Sequence, residues 1–117
     1  MRRSFFKIFS RGDTDMRVFE HLDRMEYDEM MALLEKMDFR EFGHLKRNEM
    51  SFIHNAVDDY AALERLQTLP YFTDFINDDN NPEQWTPLMW CQKQNCLDLK
   101  TLKLLHENGA DMLHRKR

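Results

Sequence analysis

Pairs of short apolar helices recurring every 35 or so residues constrain this chain more than any other feature. A unit of that size cannot bury its own apolar faces and must share them with its neighbours. The most legible unit lies near the C-terminus. Thr86 can cap a helix, and Pro87 suits its first position, where a missing N–H is harmless. Leu88 and Cys91 then supply apolar contacts. Asp98 can cap a second helix carrying Leu99, Leu102 and Leu105, with Leu104 flanking, at helical spacing. Gly109 falls where a left-handed helix stop is wanted. Thirty-five residues earlier, Ser51 to Val57 repeats the order of cap, apolar pair, polar position and small residue. A second helix capped near Asp58 or Asp59 follows, with Leu63 and Leu66 apolar and Pro70 ending it. Another step back, Met16 to His21 precedes an apolar segment, Met30 to Leu34, that begins around Asp28 and gives way to a loop through Gly43. The expectation is an all-α stack of about three helix-turn-helix units, approximately 16–50, 51–85 and 86–113.

In the third unit, Thr86-Pro87-Leu88-Met89 followed by Leu104-Leu105-His106-Glu107-Asn108-Gly109-Ala110-Asp111 resembles the ankyrin repeat, whose pattern runs T-P-L-H, then L-L, then G-A-D. His54 occupies the motif histidine slot of the second unit, which lacks the Gly-Ala-Asp ending. The first unit matches mainly in phase. The likeness spans roughly 95 of the 117 residues, with departures. Met89 stands in the histidine slot of the third unit, about two extra residues separate its helices around Gln94–Leu97, and the loop from Tyr71 to Trp85 is long. The resemblance implies a helical solenoid whose concave face and inter-repeat loops hold a protein partner. It implies that His54 hydrogen-bonds between repeats and that Cys91 takes a small buried slot. It also places Asp23, Arg24, Asp58, Asp59, Lys93, Gln94 and Trp85 near the partner surface, with Glu20, Asn55 and Trp90 at the variable inner-helix positions.

The ends of such a stack need cover. Residues 1–15 are expected to cap the first unit through Phe5, Phe6, Ile8 and Phe9; an organelle leader or an interfacial membrane helix are the alternatives for this Arg-rich amphipathic segment. The tail 114–117 is basic. Methionines Met25, Met30, Met31 and Met37 are expected to fill gaps in the core, with an adaptable binding groove as the alternative.

Charge is strongly segregated. Residues 1–12 carry +4 and 114–117 carry +3, whereas 13–113 hold all 21 acids against 10 bases. Nucleic-acid binders carry a basic body, because phosphate neutralisation supplies most of their affinity, so nucleic acid is not an expected partner. No run reaches the roughly 20 apolar residues of a spanning helix. Two cysteines are too few for a disulfide scaffold, which fits a reducing, cytoplasmic setting.

The catalytic constellations are missing. Gly12, Gly43 and Gly109 are isolated, so no glycine-rich phosphate loop exists, and neither G-x-S-x-G nor H-E-x-x-H occurs. Cys91 and Cys96 have the wrong spacing for a zinc finger; with His106 and His114 they make only a conceivable fourfold site. Asp58-Asp59 and Asp78-Asp79 read as caps and turn charges, not as an acid–base dyad. No cofactor or metal is expected. Binding remains. Tryptophan is enriched at interface hot spots, and Trp85 and Trp90 lie beside Asp74, Asp78, Asp79 and Glu83 in a segment, Leu66 to Gln92, without a base. The expected function is a monomeric, non-catalytic adaptor that docks a protein with a basic surface. The alternatives are an inhibitor or immunity protein plugging a basic enzyme, and a membrane-associated adaptor held by residues 1–12.

Overall fold

The computed structural model describes residues 11–112, so the capping, leader and membrane readings of the N-terminal segment and the basic tail from His114 fall outside the described residues. The chain is mostly helical. In order come α1 (Arg11–Asp23), α2 (Tyr27–Leu34), α3 (Phe39–Gly43), strands β1 (Lys46–Arg47) and β2 (Met50–Ser51), α4 (Phe52–Ala56), α5 (Tyr60–Leu66), a 3-10 turn (Phe72–Phe75), α6 (Pro87–Lys93) and α7 (Leu99–Glu107). No helix among the described residues is long and apolar enough to cross a membrane.

Helix starts follow from side chains that accept the orphan N–H groups of the first turn. Ser51 accepts from the His54 amide, Asp59 from Ala62, Thr86 from Met89 and Asp98 from Thr101. Pro87 holds the first position of α6 as expected. Three helices stop in one way: Met25 (φ 60°), Asn95 (φ 60°) and Gly109 (φ 98°) adopt the left-handed conformation just past α1, α6 and α7. Each stop lets two amides return to the last helical turn.

Three expectations need correction. The chain is not purely α: β1 and β2 pair antiparallel, Lys46 opposite Ser51 and Arg47 opposite Met50. Asn48 and Glu49 make the turn with both φ angles positive, at 56° and 67°, a twist that suits a two-residue hairpin. Gly43 ends the short helix α3 instead of lying in a loop, because Asp38 and Glu41 form a reciprocal capping box that nucleates it. The two extra residues expected between the helices of the third unit are present: residues 94–98 join α6 to α7, against 57–59 between α4 and α5. The buried stripe of α7 is Thr101, Leu104 and Leu105, while Leu99 is 79% exposed. Asp98 fixes the helix start, and four leucines in seven residues leave their phase to packing.

The packing is serial. α1 lies on α2, α4 on α5 and on α6, α2 on α5, and α5 on α7. One continuous cluster runs through Phe19, Leu34, Phe52, Ile53, Leu63, Leu66, Leu88 and Leu105, and burial of each such side chain contributes about 1.5–3 kcal/mol. The Phe19 and Phe52 rings, 5.0 Å apart, join α1 to α4. Met30 and Met31 are buried and Met37 packs against the core, but Met25 is 69% exposed, because its left-handed backbone turns it outward from the α1 stop. Polar links also step from one helix pair to the next. The Tyr27 hydroxyl donates to Asp59, the Tyr71 hydroxyl to the Leu34 carbonyl and Asn108 to Gln67, across sequence separations of 32, 37 and 41. Asn77 donates to the Gly109 carbonyl and accepts from the Asp111 amide, which ties the loop after α7 to the preceding unit.

Candidate functional site

Two adjoining cavities of about 490 and 250 Å³ form one groove. The larger runs from Leu22, Asp23 and Met25 past Arg47, Asn55 and Asp58 to Tyr60 and Lys100. The smaller shares Arg47, Asn55 and Asp58 and continues to Trp90, Gln94 and Cys96. The groove therefore lies along the ends of α1, α4 and α6, where the chain turns into each second helix.

Its middle is held rigid by the hairpin. Asn55 on α4 donates to the carbonyls of Arg47, Met50 and Ser51 at 3.4, 3.2 and 2.8 Å, and its oxygen accepts from Arg47 Nε at 3.2 Å. Arg47 reaches on to Asp23 at 2.7 Å and lies 4.8 Å above the Phe19 ring. Asn55, expected to face a partner, thus spends its amide on the hairpin and positions Arg47. Asp59 is similarly engaged: one oxygen caps α5 and the other accepts from Tyr27 at 2.6 Å. Partial burial, then that carboxylate, push the Tyr27 hydroxyl up to about 12. Asp58 differs. It is exposed, lines both cavities and makes no hydrogen bond or ion pair among the described residues.

The aromatic wall is built from the turn before α6. The Asn81 side chain clasps the backbone of Trp85, accepting from its N–H at 2.9 Å and donating to its carbonyl at 2.8 Å. Trp85 and Trp90 sit 5.3 Å apart with an interplanar angle of 33°, and Lys93 Nζ lies 5.8 Å from the Trp85 ring centre. These three expected residues are brought together, with Trp90 on the groove and both indoles half-buried. Asp78 and Asp79 are half-buried in the turn ahead of Trp85 and line neither cavity. The Asp78 carboxylate accepts from the Asn80 amide at 3.3 Å, and Lys46 donates to the Asn80 carbonyl, joining that turn to the hairpin.

His54 links the two regions. It is 1% exposed, with Nδ1 2.6 Å from Ser51 Oγ and Nε2 2.7 Å from the Trp85 carbonyl. A carbonyl can only accept, so Nε2 carries the proton and Nδ1 accepts from the serine hydroxyl. Burial lowers the imidazole below its ordinary value, against the raising effect of the Trp85 carbonyl. Its role is a bridge from α4 to the start of α6. Thr86, Pro87 and Leu88 are likewise buried and structural, and Gly109 makes the α7 stop.

Arg47, Lys100 and Tyr60 were missed as groove residues. Lys100 sits 4.9 Å over the Tyr60 ring. The polar run Lys46 to Glu49 between Leu45 and Met50 was the available sign of a turn there. Chemically, the groove offers an exposed carboxylate, Asp58, without an ion-pair partner among the described residues, in the same cavity as the Trp90 indole, which suits a cationic and apolar ligand. Among the described residues, no group of three or more His, Cys, Asp and Glu side chains is placed to hold a metal ion. No family model, curated protein or solved structure matches the chain.

Proposed function

We propose that this chain is an ankyrin-like stack of three helix pairs that acts as a non-catalytic protein-interaction module. Serial contacts among α2, α5 and α7, and hydrogen bonds that reach one unit onward, support the stacked reading. The observation that carries the function is the Asp58 carboxylate, without a hydrogen-bond or ion-pair partner among the described residues, sharing a cavity with Trp90 in a groove whose floor is pinned by Asn55 and His54. A pre-ordered floor avoids much of the ordering cost of association. The partner presents a Lys or Arg to Asp58 and an apolar side chain to the indoles. Trp90→Ala and Asp58→Lys each test this. Loss of a central tryptophan contact costs about 2 kcal/mol or more, roughly 30-fold in Kd. Partners captured from the native cell and identified by mass spectrometry should weaken by that factor for both variants while circular dichroism stays unchanged. Unaltered affinities for every captured protein would defeat the proposal.

A further inference from the structure

The stop at the end of α6 places two thiols together. Asn95 takes the left-handed position, its amide returns to the Gln92 carbonyl at 3.0 Å, and the Cys96 amide returns to the Cys91 carbonyl at 3.1 Å. This 5→2 and 6→1 pattern brings the side chains five residues apart against each other. The ends of α1 and α7 have the same bonds, and their side chains fill the same places: His21 Nδ1 meets Glu26 Oε1 at 2.7 Å, and Leu105 and Ala110 are both buried. At α6 the occupants are Cys91 and Cys96, with sulfurs 2.9 Å apart and both free. The juxtaposition is therefore built by backbone geometry.

We propose that Cys91 and Cys96 form a site for thiol–disulfide exchange with low-molecular-weight disulfides, closing to an intramolecular disulfide in the folded chain. Cys96 is the half-buried member and lines the smaller cavity, so it meets the reagent first. Its thiolate attacks one sulfur of glutathione disulfide and expels a glutathione thiolate, leaving a mixed disulfide on Cys96. Cys91 then gives its proton to solvent and attacks Cys96 Sγ; the second glutathione leaves as a thiolate and takes up a proton. The protein loses two protons and two electrons, and one glutathione disulfide becomes two glutathione thiols. The sulfurs need only close from 2.9 Å to the bonding distance of about 2.05 Å. Burial, then the contact with Cys96, push the Cys91 thiol up, which lowers the share of thiolate available for the second step. Closure would reshape the wall beside Trp90; that consequence rests on the groove reading, whereas the exchange chemistry does not.

The full-length chain is incubated with glutathione disulfide, quenched in acid, alkylated and weighed by mass spectrometry. The expected course is a transient glutathione adduct on Cys96 that converts to a species about 2 Da lighter than the reduced chain. In Cys91→Ala the adduct persists, and in Cys96→Ala the buried Cys91 is modified far more slowly. Conversion in the native chain should be ~10-fold faster than in concentrated urea, because the fold pre-aligns the pair. This last comparison needs no variant to fold. Equal closure rates in buffer and urea, or a Cys96 adduct as persistent in the native chain as in Cys91→Ala, would overturn the site. None of these readouts involves a partner, so they stand apart from the test of the groove.

Discussion

Removing the His54 imidazole tests how the second unit is fastened to the third. In His54→Ala the Ser51 hydroxyl keeps its bond from the residue 54 amide, and the Trp85 carbonyl keeps its bond from Asn81. Neither partner is stranded, so the two lost hydrogen bonds cost about 1 kcal/mol each. The emptied buried volume adds about 1 kcal/mol, for a total near 3 kcal/mol, a large share of a typical stability of 5–15 kcal/mol. Asn81→Ala alone removes two bonds to Trp85 while His54 still serves the carbonyl. Together the substitutions remove these two side-chain donors from that oxygen, and the double variant should be destabilised beyond the sum of the singles by about 1 kcal/mol. Urea unfolding followed by circular dichroism gives all four corners of the cycle. A His54→Ala cost under about 1 kcal/mol, or additivity within about 0.3 kcal/mol, would refute the shared-acceptor bridge.

Two further outcomes follow from the same structure. The His54 imidazole is lowered in the native state, so the unfolded chain binds the extra proton first; stability should be full above the ordinary histidine value of about 6.5 and fall as pH drops through it, by at most about 1.4 kcal/mol per pH unit from this group. Denaturation series from about pH 7 to 5 should show that slope in the native sequence and its disappearance in His54→Gln, and equal slopes would contradict the assignment. On α7, Leu104→Ala should cost about 2–5 kcal/mol, whereas Leu99→Ser should stay within about 0.5 kcal/mol; thermal melts giving the two variants similar losses would mean that the buried stripe has been misassigned.

The helix starts were the most legible part of the fold, because Ser51, Thr86 and Asp98 cap by local geometry that sequence spacing displays. Gly109 announced its own stop for the same reason. Met25 makes the same left-handed stop with a residue type that gives no sign of it, whereas Asn95, of the type that after glycine best tolerates that conformation, was a sign left unread. The hairpin was hidden because Asn48-Glu49 lacks the glycine of common two-residue turns, and its carbonyls are satisfied from outside by Asn55. That one omission left Arg47 out of the expected site, whereas Asn55, expected at the partner surface, lines the groove while also holding the hairpin. Trp85, Trp90 and Lys93 were legible as a cluster because their spacing within and just before one helix brings them together. Asp58 and Asp59 looked equivalent in sequence, and only the Tyr27 hydroxyl and the α5 amide set them apart.

The most direct test of the groove is site-specific photo-crosslinking in the native cell, with the reactive residue at Trp90 or Asp58 in one set and at Glu64 or Lys103, exposed positions lining neither cavity, in the other. The account predicts a discrete protein adduct from the first set, lost when the other groove residue is replaced, and none from the second. Equal labelling from all four positions, or adducts confined to Glu64 and Lys103, would contradict it.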